Sequence, residues 1–165
     1  KELGLTPRAR IVSTATWGNE PEYMGVAPIG AIKKVLERTG MTMSDIDTVE
    51  LNATKYRLPS EEQFRSWAAQ VPDGFRFAVK APDGIERRLA TFEERVRCLG
   101  DRLGCVRIVV ERPRDDGFLE LLLGSVDPAI RYALDLRDPS WNGVEGRLTE
   151  AGGDDTHPCW GPYPR

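Results

Sequence analysis

The sequence predicts an α/β fold: a mainly parallel sheet of about five strands with alternating helices, an incomplete (β/α) barrel. Three observations predict it. Strand-like and helix-like stretches alternate along the chain, which is the pattern of βαβ units. At roughly 30 residues or more per unit, 165 residues hold about five strands. A closed eight-stranded barrel usually takes about 200 residues or more, so a complete one does not fit.

Residues 10–16 are rich in β-formers (Ile11, Val12, Thr14, Thr16) and stop at Gly18 and Asn19, so a first strand is expected there. Pro28 suits a first helical position. Ile29, Ile32, Val35 and Leu36 recur at helical spacing behind it, and Gly40 stands where a C-terminal cap belongs. Residues 47–51 read as a second strand ending near Asn52. Ser60-Glu61-Glu62-Gln63 is a capping box, in which the Ser hydroxyl and the Gln amide satisfy backbone N–H groups of a first helical turn. Phe64, Trp67, Ala68 and Val71 then form an apolar stripe read as core, and Pro72-Asp73-Gly74 ends that helix. Residues 75–81 make a third strand. Thr91-Phe92-Glu93-Glu94 repeats the capping pattern, followed by Val96, Leu99 and Leu103 and closed by Gly104. Residues 105–111 are apolar at nearly every position apart from Arg107, as in a fourth strand covered on both faces. A short helical turn at 118–123, a fifth strand at 130–136 and a last helix at 144–151 complete the alternation. Residues 152–165 hold three of the twelve prolines and no periodicity, and disorder is expected there.

Composition narrows the function classes. With 40% hydrophobic and 30% charged residues the chain is composed like a globular protein. Its 23 Lys+Arg against 26 Asp+Glu give a net charge of −3, far from a nucleic-acid footprint. No apolar run approaches the ~20 residues of a membrane span, and neither nucleic acid nor membrane is an expected partner. The opening Lys1-Glu2-Leu3-Gly4 has neither a start Met nor an apolar signal core, which suggests an internal fragment and a cytoplasmic setting. Cys98, Cys105 and Cys159 form no C-x-x-C pair and read as reduced thiols, and the one histidine, His157, rules out a multi-histidine metal site. Gly-rich phosphate motifs are absent, so no cofactor is expected.

Two resemblances meet at one point. Residues 6–52 carry Glu20-Pro21-Glu22-Tyr23-Met24-Gly25, then Pro28 and Ala31, then a "DID..E.N" run, and resemble the start of the C-terminal half of a thiolase. After Asn52 the thiolase pattern of Glu-Ala-Phe gives way to Ala53-Thr54-Lys55-Tyr56. From Thr48 to about Ala151 the chain instead resembles the YecE-like family, a (β/α)-barrel domain of unknown function. That likeness rests on "TVELNATKYRLPSEEQFRSWAAQVPDGFRFAVKAP", "ERVRCLGDRLG" and "RYALDLRDPSW". This chain departs from it in carrying Lys55 where the family usually has Phe, and Gly84-Ile85-Glu86 in place of "ITH". Both families share Val49-Glu50-Leu51-Asn52, which suggests a fusion there. The expected organisation is a thiolase-like strand-helix-strand at 1–52, a partial YecE-like barrel at 48–151, and the tail.

The thiolase resemblance implies a nucleophilic Cys and later proton-moving His and Cys residues, none of which has an aligned counterpart. Asn52 alone matches, at the Asn that holds a catalytic water in that family, and an amide cannot replace an acyl-forming thiolate. A thiolase-type acyltransferase, of the acetyl-CoA acetyltransferase class, is therefore the alternative to a YecE-like domain of unknown activity. His157-Pro158-Cys159 echoes the thiolase Gly-His-Pro motif without its preceding Gly.

No catalytic residue is assigned. In βα folds ligands gather at the carboxyl ends of strands, where Glu50, Asn52, Tyr56, Lys80, Arg112, Asp135, Arg137 and Trp141 fall. The cations suit an anionic small molecule, the arginines by two-pronged contacts. The bland reading is that Glu50, Lys80, Asp135 and Arg137 pair with one another as a structural network, and it is the favoured one for so short a barrel. Open sheet edges make self-association a further expectation.

Overall fold

The computed structural model describes residues 9–18, 20, 27–55 and 57–150. The chain divides into two compact units at Ile46/Asp47.

In the first unit, residues 9–18 have no regular secondary structure, and the first expected strand does not form. β-propensity alone cannot make a strand without a hydrogen-bonded neighbour and a surface to pack on. Among the described residues Ile11 and Val12 have no paired strand, and both are exposed. Helix α1, Ala27–Thr39, forms as its spacing predicts. Gly40 at φ 68° turns the chain out of it, and the Met41 N–H donates to the Leu36 carbonyl at 3.2 Å, a Schellman closure. Arg38 donates to the Thr14 carbonyl at 2.8 Å. The Trp17 ring lies on Gly30, where a Cβ would clash with it.

The second unit is a parallel sheet of β1 (Thr48–Leu51), β2 (Arg76–Lys80), β3 (Leu103–Val110) and β4 (Tyr132–Leu136), paired in that order. Four strands replace the five expected because the first does not form. Helices α2 (Glu61–Ala69), α3 (Leu89–Val96) and α4 (Asp116–Ser125) connect them, and α5 (Glu145–Glu150) follows β4. Ser60 caps α2, its hydroxyl accepting the Gln63 N–H at 3.2 Å, as the sequence predicts. The second capping pattern is not used: α3 starts at Leu89, before Thr91. Its stripe is interrupted by Gly100 (φ 54°, ψ −134°) inside the 3-10 segment Arg97–Arg102, and not by Gly104. Gly104 lies in β3, where the pairing shifts so that Leu103 opposes Phe77 and Cys105 opposes Ala78. The expected short turn at 118–123 is a full helix, because Asp115 accepts the Phe118 N–H at 3.0 Å and starts α4 early.

Topology then decides which face is covered. Each strand pairs with the next in sequence, and right-handed crossovers carry all the connecting helices to one side. On that side Phe77, Val79, Val106, Ile108, Val110, Leu134 and Leu136 are buried, as are Phe64, Phe92, Leu99, Leu119 and Leu122 of the helical layer. The opposite face carries Glu50, Ala78, Lys80, Cys105, Arg107, Ala133 and Asp135, and apart from Asp135 these stay part-exposed. Among the described residues β3 is thus covered on one face, not two, and Arg107 marks the other. The tail at 152–165, with His157 and Cys159, lies outside the described residues.

Candidate functional site

At the carboxyl ends of the strands, Arg107 organises the uncovered face. It stands opposite Lys80 on β2 and Ala133 on β4. To reach Glu50 its side chain crosses β2, roughly 10 Å or two strand spacings, over the small Ala78 that pairs with Glu50. Its Nη1 donates to both Glu50 oxygens, at 3.0 and 2.9 Å, and its Nη2 to Asp135 Oδ2 at 2.7 Å. Arg137 extends the chain of charges, with Nε to the same Oδ2 at 3.2 Å and Nη1 to Glu111 at 2.7 Å. Burial works against the charged form of Arg107, but its hydrogen bonds to Asp135 and Glu50 outweigh it and hold the guanidinium above its usual value.

Of the residues expected to converge, Glu50, Asp135 and Arg137 come together, through Arg107, which the sequence showed only as an interruption in an apolar strand. Lys80 ends β2 on the same face and makes no ion pair or side-chain hydrogen bond among the described residues. Asn52 follows β1 and is exposed. Tyr56 lies outside the described residues. Arg112 and Trp141 form a separate group. The Arg112 guanidinium stacks 3.5 Å from the Phe118 ring centre, and its carbonyl accepts the indole N–H of the buried Trp141 at 2.8 Å. A cavity of about 280 Å³ opens beside them between the loops that follow β2 and β3, lined by Asp83, Glu86, Val109, Glu111, Arg112 and Phe118.

Two further residues brace this rim. The buried Thr54 hydroxyl lies 2.8 Å from the Leu51 carbonyl and 2.6 Å from that of Lys80, sharing one proton between the ends of β1 and β2. Lys55 reaches Asp83 at 3.6 Å, an ion pair where the related pattern has an apolar ring. Among the described residues there is no cluster of His, Cys, Asp or Glu able to hold a metal ion, and no helix long and apolar enough to cross a membrane.

An open four-stranded parallel sheet with alternating helices and a charged strand-end face defines an α/β domain. The chain belongs to the family described as "Protein of unknown function DUF72", whose pattern matches residues 14–151. A crystal structure of a DUF72 family protein from Enterococcus faecalis V583 superposes with a TM-score of 0.55 at 22% identity, over 62% of this chain and 45% of that one. Another, of the same protein, gives 0.51 at 18% identity, over 73% and 54%. These likenesses show the fold. Curated thiolases match as well. The 3-oxoadipyl-CoA/3-oxo-5,6-dehydrosuberyl-CoA thiolase of Escherichia coli (strain K12) is 57% identical over 49 residues, 30% of this chain and 12% of the relative. A 3-ketoacyl-CoA thiolase of Idiomarina loihiensis is 54% identical over 105 residues, 64% of this chain and 24% of the relative. The chain spans 12% and 24% of the lengths of these two thiolases.

Proposed function

We infer that this is a YecE-like (DUF72) domain fused to a thiolase-like segment, with residual binding of an anionic small molecule on its uncovered strand-end face. The fusion reading is supported by 57% identity to a thiolase over 49 residues in a chain whose DUF72 match runs from 14 to 151. A cytoplasmic setting fits three cysteines, Cys98, Cys105 and Cys159, that form no C-x-x-C pair.

One observation carries the binding reading. The arginines of the face are already neutralised by Glu50, Asp135 and Glu111, whereas Lys80 stands among them without a counter-charge among the described residues. An anion brought to the rim gains Lys80 directly and gains Arg137 only by displacing Glu111, whose side chain is 64% exposed and cheaply released. The anion then takes the fork of Arg137, so Arg137→Lys weakens binding although the charge is kept. Calorimetric titration with succinate tests this. Binding to the parent, several-fold weaker in Lys80→Met and in Arg137→Lys, supports the reading; no binding to the parent overturns it.

The second reading, a thiolase-type acyltransferase, draws on the same identity to curated thiolases. No thiolase nucleophile has an aligned counterpart in this sequence. Acyl-CoA thiolysis by the purified chain would displace the first reading in favour of this one.

A further inference from the structure

Anion binding at Lys80 leaves one atom of the same face unexplained. The Asp135 side chain is 4% exposed, and its Oδ2 accepts both Arg107 and Arg137. Its Oδ1 is buried and has no hydrogen-bond partner. A carboxylate oxygen that has lost water and gained no donor is costly, and such an orphan calls for a group that supplies an N–H or O–H. Lys80 and Asp135 lie on one face with β3 between them and two residues apart in register, so their backbones are about 12 Å apart. The long lysine side chain shortens that gap to the length of a small bifunctional molecule.

Charge decides which donor fits. An ammonium at Oδ1 would be drawn to the carboxylate but would meet the guanidinium groups of Arg107 and Arg137 on the same residue. A neutral hydroxyl meets no such repulsion. Oδ1 is buried, so a ligand reaches it as a neighbouring side chain shifts, and of the two arginines on Asp135 Oδ2, Arg137 is the more exposed, at 43% against 22% for Arg107.

We propose that the ligand of this face is a small hydroxycarboxylate, its carboxylate held by Lys80 and its hydroxyl donating to Asp135 Oδ1. The proposal rests on the anion reading above and deepens it. Calorimetric titration of the whole chain with L-malate, D-malate and succinate separates the two, because these acids share length and charge and differ by one hydroxyl. One malate enantiomer is expected to bind about ten- to a hundredfold tighter than succinate, the value of a hydrogen bond to a charged acceptor. Asp135→Asn, which replaces the charged acceptor by a neutral amide, should shrink that preference several-fold, and Lys80→Met should weaken malate and succinate alike. Equal affinities for all three acids, or a malate preference undiminished in Asp135→Asn, would overturn the hydroxyl proposal while leaving the anion reading intact. Absence of binding by all three acids overturns both. The comparison of acids on the parent chain needs no variant, so a poorly folding Asp135→Asn cannot obscure the result.

Discussion

Arg107 donates three hydrogen bonds to carboxylates on strands other than its own, and it does so half out of water. Removing such a group costs more than forming it contributes, because the partner charge is left behind. Arg107→Met should lower stability by about 3 to 5 kcal/mol, since Asp135 at 4% exposure would keep Arg137 alone. Glu50→Gln should cost about 1 kcal/mol or less, Glu50 being 29% exposed and screened. Urea midpoints at unchanged slope would show both. At the opposite end of β4 the Tyr132 hydroxyl donates to Glu93, which also accepts the Asp127 N–H at 2.9 Å. Burial and the neighbouring Glu93 push the tyrosine well above its ordinary value. A folded-state value raised above the unfolded one gives stability that is full below about pH 10, where free tyrosine titrates. Above it the unfolded chain loses the proton first, so stability should fall by up to about 1.4 kcal/mol per pH unit. Urea melts between pH 8 and 11 should show that slope in the parent and not in Tyr132→Phe. Glu50 and Asp135 were legible as strand-end carboxylates. Their partner was not, because 57 residues separate Glu50 from Arg107 and only the sheet brings them together.

At the scale of elements, the strongest local signals held and the weaker ones yielded to context. Ser60 and Gly40 each cap a helix as their residue types predict, because a cap is completed within one turn. Thr91 carries the same kind of signal but lies inside α3, where Leu89, Phe92 and Val96 are buried and packing extends the helix past it. The run at 10–16 fails as a strand for lack of a partner strand among the described residues. Gly100 is the backbone position that no other residue suits, with φ 54° and ψ −134°. Gly100→Ala should cost about 1 to 3 kcal/mol. Gly124, inside α4 with nothing near its absent Cβ, is the matched opposite, and Gly124→Ala should stabilise by up to about 1 kcal/mol. Thermal melts of the pair, with shifts of opposite sign, would check both assignments.

For the whole molecule, β1 and β4 close the sheet at either side, and among the described residues each pairs on one edge alone. Unpaired N–H and C=O groups along an edge are a template for another strand. The chain is therefore expected to self-associate, with size-exclusion elution that moves earlier as concentration rises. Val49→Lys places a charge on the part-covered β1 edge strand and should shift elution back toward the monomer. A sharp, concentration-independent monomer with cooperative melting would defeat this expectation.

Period, caps and turn residues determined by themselves that the chain alternates helix and strand in parallel βαβ order, and where most elements begin and end. These signals act over one or two turns of chain and need nothing distant. The polar periodicity also placed Glu50, Lys80, Asp135 and Arg137 at strand ends. Which face of the sheet lies uncovered, and which charges meet on it, was decided by tertiary structure. Strand order sets the side to which every helix crosses, and register sets that Arg107 passes over Ala78 to Glu50 while Lys80 is left without a counter-charge among the described residues. Register is a relation between segments tens of residues apart, held by packing of the covered face, and a shift of one residue would turn each of those side chains to the other side.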